Sequence, residues 1–143
     1  MPTESFHESL YASLKTMVEA TIEFSNQPEV LAQKSHMDAL SWTKEFRTVR
    51  FGVGRRMGHT TMGLRLAEEM FPRESVFLAL NNKSPRSMCP PNVRMKSSHN
   101  PEGLRGLNVK MVVVDCSTFL SQTNLDQVIR ISSPCDPVIV LLQ

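Results

Sequence analysis

Long apolar runs are missing from this chain of 143 residues. No stretch approaches the roughly 20 residues that a membrane-spanning helix needs, so no membrane partner is expected. A basic leader is missing too. Glu4 and Glu8 stand where a secretory signal carries positive charge, so none is expected. Cysteine is scarce: Cys89, Cys116 and Cys135 form an odd set without metal-ligand spacing. That excludes a disulfide framework as the default and favours free thiols in a reducing, cytoplasmic compartment. Excess charge is missing as well, since a net charge of +2 implies no partner by itself. What remains is an apolar fraction of 41% and a charged fraction of 21%, the balance of a globular protein with a real core. The length fits one domain.

The first part of the chain reads as helical. Ser5-x-x-Glu8 has the form of a capping box, and Phe6, Leu10, Leu14, Met17, Val18 and Ile22 follow on one helical face. Asn26-Gln27-Pro28 predicts a break and a second helix running to about Phe46, with Val30, Met37, Leu40 and Trp42 inward.

From Thr48 the pattern changes to strands alternating with helices. Strands are expected at TVRFGVG, at SVFLAL (Ser75 to Leu80), at VKMVVVD (Val109 to Asp115) and at PVIVLL (Pro137 to Leu142). Helices are expected over Thr60 to Met70 and Leu125 to Ile131. The fold class that follows is α/β: a mostly parallel sheet of about four strands flanked by helices, with an N-terminal helical pair (1–47) before the α/β core (48–143).

Between the first strand and its helix lies GVGRRMGHTT, Gly52 to Thr61. A strand, a glycine-rich turn and a helix opening on two threonines is the layout of a phosphate-binding loop, in which backbone N–H groups converge on an anion. Gly54, Arg55, Arg56, Met57, Gly58, His59, Thr60 and Thr61 are therefore the candidate nucleotide-binding residues. Gly54 and Gly58 read as loop glycines with φ values unsuited to other residues. The strict pattern G-x-x-x-x-G-K-[ST] fails twice, with Val53 at the first glycine and His59 at the lysine. Downstream, Asp115 ends an apolar strand, where a carboxylate can help hold Mg2+ beside a loop threonine. Thr60 and Asp115 are thus candidate metal ligands and Asp115 the candidate catalytic residue. N-capping by the threonines and a strand-end turn at Asp115 are the simpler alternatives.

These residues resemble a known family. RRMGHTT is similar to the divergent phosphate loop of phage terminase large subunits, often written xRQxGKTT, and VKMVVVDCSTFL resembles their strand ending in Asp-Glu. Gly103-Leu104-Arg105-Gly106 resembles the Arg-Gly that often precedes that strand, and PVIVLLQ the strand carrying a polar sensor, here Gln143. The resemblance covers about Thr48 to Gln143. It implies a P-loop NTPase core of the terminase or helicase type, encoded by a phage or mobile element and acting in the host cytoplasm. It further implies ATP and Mg2+ as ligands, a last strand lying between the loop strand and the Asp strand, and a homo-oligomer to close the site. His59 replaces the phosphate-neutralising lysine, and Cys116 replaces the acid that orients water, so weak or lost ATP hydrolysis is expected.

Lys83, Arg86, Arg94, Lys96, Arg105 and Lys110 share a segment with one acid, Glu102. That segment, rich in Ser, Asn and Pro, reads as a long loop. It is either a solvated basic loop or a surface for nucleic-acid phosphates, DNA before RNA. A non-enzymatic module binding nucleic acid or a host protein on the same fold is the alternative function. His7, His36 and His99 show no metal spacing and are expected at the surface.

Overall fold

A computed structural model describes residues 4–52, 59–79 and 89–143, apart from the side chain of Phe119. Three helices come first: α1 (Glu4–Ser25), α2 (Pro28–Lys34) and α3 (Ala39–Phe46). Ser5 already lies inside α1, so the predicted capping box does not start that helix. The predicted second helix is two. Pro28 opens α2, and the Asp38 side chain accepts the Ser41 N–H at 2.8 Å to start α3. Ser and Asp compete with the helix for backbone partners, and a cap at Asp38 wins over continuation.

The remaining elements are β1 (Thr48–Phe51), α4 (His59–Met70), β2 (Ser75–Ala79), β3 (Arg94–Ser97), β4 (Met111–Val114), α5 (Gln122–Ser132) and β5 (Val138–Leu142). They form one five-stranded sheet in the order β1-β5-β4-β2-β3, with every pairing parallel. The α/β class is as expected, and β5 lies between β1 and β4. The count of about four strands is short by one. β3 was hidden in the basic segment read as a loop, because its sequence RMKS is short and charged. Its strand character comes from pairing with β2, and its alternating exposure is that of an edge strand guarded by cations.

Burial explains why the other strands were legible. Every residue of β2, β4 and β5 is buried, so each reads as a continuous apolar run. One face of the sheet, including Phe77, Val113, Val140 and Leu142, packs under α1 and α4 with Tyr11, Leu14, Met62 and Leu66. The other face, including Leu78, Val114, Ile139 and Leu141, packs under α5 with Leu125, Val128 and Ile129.

α4 sits unusually close to the sheet. A Cβ added at Gly63 would come within 2.8 Å of Leu142 Cδ1, 2.9 Å of Phe77 Cε2 and 3.1 Å of Val113 Cγ1. Only glycine allows this approach, and it fixes where the first turn of α4 meets the C-terminal edge of the sheet.

The helical pair is tied to the opposite edge. Asp136, in left-handed backbone just before β5, accepts the Trp42 indole N–H at 3.0 Å and the Lys34 ammonium at 2.8 Å. Arg47 adds hydrogen bonds to the Asp136 carbonyl and the Ser25 hydroxyl, at 2.8 and 2.9 Å. Among the described residues no helix is long and apolar enough to cross a membrane.

Candidate functional site

The C-terminal edge of a parallel sheet is where ligands of α/β proteins bind. Here β1 ends at Phe51, whose carbonyl accepts the Gln143 N–H at 2.9 Å, and the chain continues through Gly52 beside the Gln143 side chain. Gly54, Arg55, Arg56, Met57 and Gly58 lie outside the described residues, as do Lys83 and Arg86. The chain is described again from His59, the first residue of α4.

Thr60, in the first turn of α4, donates its hydroxyl to Asp115 Oδ2 at 2.7 Å. The two residues are 55 positions apart in sequence. The glycine of α4 and the β4–β2 pairing bring them together: Asp115 continues β4, and its N–H donates to the Leu78 carbonyl at 3.0 Å. Asp115 is only 6% exposed.

Cys116 follows in left-handed backbone, with φ 51° and ψ 46°, a conformation costly for a residue with a Cβ. Its thiol pKa is pushed up by burial, and further by the charge of Asp115 and a hydrogen bond with it. A thiol held protonated in this way is neither a nucleophile nor a base near neutral pH.

The carboxylate of Asp115 is thus met by a hydroxyl and a thiol. Among the described residues it has no Lys or Arg partner. A buried carboxylate with only neutral donors is poorly compensated, and it retains attraction for a cation.

His59 completes the group. Its Nε2 is buried and has no hydrogen-bond partner among the described residues. Burial lowers its pKa, and the charge of Asp115 opposes that shift only in part. The ring is therefore neutral at pH 7 and does not replace a lysine ammonium. The Ser117 hydroxyl, two residues beyond Asp115, is also buried and has no partner among the described residues. Neither Ser117 nor the strained backbone of Cys116 was legible in the sequence, because strand-end serines and cysteines are common and φ has no sequence signature there.

Hard oxygen donors 2.7 Å apart, one of them a carboxylate with no cationic side-chain partner among the described residues, fit Mg2+, which takes one or two protein oxygens and fills its octahedron with water and phosphate. No cluster of three or more His, Cys, Asp or Glu side chains suited to holding a metal by itself occurs among the described residues.

Of the basic residues of the expected nucleic-acid surface, Arg94, Lys96, Arg105 and Lys110 are among the described residues. Arg94 and Lys96 are exposed on the same face of edge strand β3. Arg105 is bound by Glu102 through two hydrogen bonds, at 2.7 and 3.1 Å. Lys110 stands at the N-terminal end of β4, away from Asp115, with its ammonium 3.6 Å from Glu74. His36 and His99 are exposed and His7 is half-buried. No protein-family model, curated protein or solved structure matches the chain.

Proposed function

We propose that this protein binds a nucleotide or another polyphosphate, with Mg2+, at the start of α4, as a terminase- or helicase-like P-loop domain with weak or lost hydrolysis. One observation carries the reading: the hydrogen bond from Thr60 to Asp115, which joins the helix after the glycine-rich turn to the end of a buried strand. Thr60 and Asp115 would hold the metal, whose charge would offset that of the phosphates. The N-terminal turn of α4 offers N–H groups to an anion.

His59 and Cys116 support the loss of catalysis. A neutral imidazole does not neutralise phosphate, and a protonated thiol does not orient or deprotonate water. Among the described basic residues of that segment, Arg94 and Lys96 make no ion pair and would meet a nucleic-acid backbone as a low-affinity accessory contact.

The test is thermal unfolding of the protein with nucleoside triphosphates, with and without Mg2+. A ligand at 100 times its Kd adds about 2.7 kcal/mol, a readily measured rise in midpoint. Stabilisation that requires Mg2+ and disappears in Asp115→Asn is the expected result; no response to any nucleotide or polyphosphate would end the proposal. The double change His59→Lys with Cys116→Glu probes the same geometry, since gain of ATPase activity requires an intact site.

A further inference from the structure

α1 carries a second apolar face besides the one it buries. Tyr11, Leu14 and Val18 turn into the core. About a quarter turn away, at 3.6 residues per turn, stand Phe6, Leu10, Ser13, Met17, Ala20 and Phe24. These residues alternate four and three positions apart, the spacing of a coiled-coil seam. Phe6 is 41% exposed, Met17 40% and Phe24 51%. Ser13 and Ala20 are exposed between them, and Leu10 is half-buried. Leu31 of α2 is the other large apolar side chain exposed among the described residues, so exposure of this kind is gathered along α1 rather than scattered.

The order of sizes along the seam decides what fits it. A second α1 laid antiparallel, with a two-fold axis level with Lys15, sets Phe6 against Phe24, Leu10 against Ala20 and Met17 against Ser13. The symmetry repeats each pairing. Leu10 and Met17 each meet a small residue, and an aromatic pair closes each end. A parallel copy sets like against like: Met17 on Met17 overfills one layer, while Ser13 on Ser13 and Ala20 on Ala20 leave gaps in others.

Charge agrees with the same arrangement. Glu4, Glu8, Lys15 and Glu19 fall on other sides of the helix. Ser9, Thr16 and Glu23 border the seam, and in the antiparallel pair Glu23 comes beside Ser9 of the second copy, whose hydroxyl can donate to it. No two like charges face each other.

We propose that this chain self-associates through α1 as an antiparallel two-fold dimer. The seam is about 27 Å long and about 10 Å wide, on the order of 300 Å², short of the ~800 Å² per partner of a standard interface. The dimer is therefore weak and builds up with concentration. It needs no nucleotide.

The experiment is sedimentation equilibrium of the full chain from about 10 µM to about 1 mM, a span that covers weak pairs. Met17→Glu places a charge in the seam and should weaken the dimer at least about tenfold. Ala12→Glu adds the same charge to the same helix outside the seam and should leave the dimer unchanged. Ser13→Lys combined with Met17→Glu should bring the dimer back, because antiparallel copies set lysine against glutamate and parallel ones set like charges together. Far-UV circular dichroism should match wild type throughout, since all of these side chains are exposed. A wild-type chain that stays monomeric to about 1 mM overturns the proposal and leaves the seam to a different protein. So does a dimer that Met17→Glu fails to weaken. A dimer lost in Met17→Glu and not regained in the double variant overturns the antiparallel pairing.

Discussion

Two aspartates stand at opposite edges of the sheet, and their surroundings differ in kind. Asp136 precedes β5 and is satisfied by Lys34 and the Trp42 indole, with Arg47 on its carbonyl. Asp115 follows β4 and, among the described residues, takes its side-chain hydrogen bonds from the hydroxyl of Thr60 and the thiol of Cys116. The first has an internal cation and closes a structural junction. The second is more deeply buried and lacks one among the described residues. An internally neutralised carboxylate holds a fold together, whereas an uncompensated one is costly unless a ligand supplies the missing charge.

The largest test separates the two edges by moving one helix. Gly63→Val puts carbon atoms where Leu142, Phe77 and Val113 already lie, and α4 must lift from the sheet. Overpacking of this sort costs about 3 kcal/mol. A denaturant titration should show that loss, and Thr60 should no longer reach Asp115, so any Mg2+-dependent stabilisation by nucleotide should weaken with it.

Asp136→Ala comes next. It strands the Trp42 N–H and the Lys34 ammonium, and a cost of about 2 kcal/mol is expected from urea unfolding. Acid should act on the same junction. Although burial works to raise the Asp136 pKa, Lys34, Trp42 and Arg47 bring it below the ordinary aspartate value. The unfolded chain then takes up the proton first, so the stabilisation is present above the ordinary pKa and is lost as pH falls through the depressed one. The wild-type protein should lose stability over that acidic range more steeply than Asp136→Asn, and parallel curves would count against the assignment.

Asp115→Asn is expected to move the other way. It removes a buried charge while leaving an oxygen to accept from Thr60, so the ligand-free protein should gain about 1 kcal/mol. A loss as large as that of Asp136→Ala would erase the distinction between the two carboxylates. Arg105→Ala sets the floor. Its pair with Glu102 is fully solvent-exposed, and the melting midpoint should not move measurably.

Much of the fold was legible in the sequence. β2, β4 and β5 are buried on both faces, which leaves apolar runs that nothing else in the chain imitates. α4 spans His59–Met70, against an expected Thr60 to Met70, because an apolar stripe at helical spacing marks its length in the sequence. β3 was not legible, since RMKS gains its extended form from the neighbouring β2 and not from its own propensities. The break at Asp38 was missed for a similar reason: a side-chain cap competes with a helical pattern that looks continuous.

For the site, the sequence named Thr60 and Asp115 by residue type and by position at the ends of two elements. Their hydrogen bond exists only because α4 lies flat on β4 and β2 through Gly63, a contact across the sheet that no local pattern encodes. Charge compensation was likewise decided in three dimensions. In the sequence Asp115 follows an apolar strand and Asp136 precedes one, and packing brings a lysine to Asp136 and, among the described residues, none to Asp115. Local chemistry therefore determined the α/β alternation and the identity of the candidate residues, through burial and turn preference. Long-range packing decided the strand order, the extra edge strand and which carboxylate lacks a cationic partner among the described residues, because each depends on distances between segments far apart along the chain.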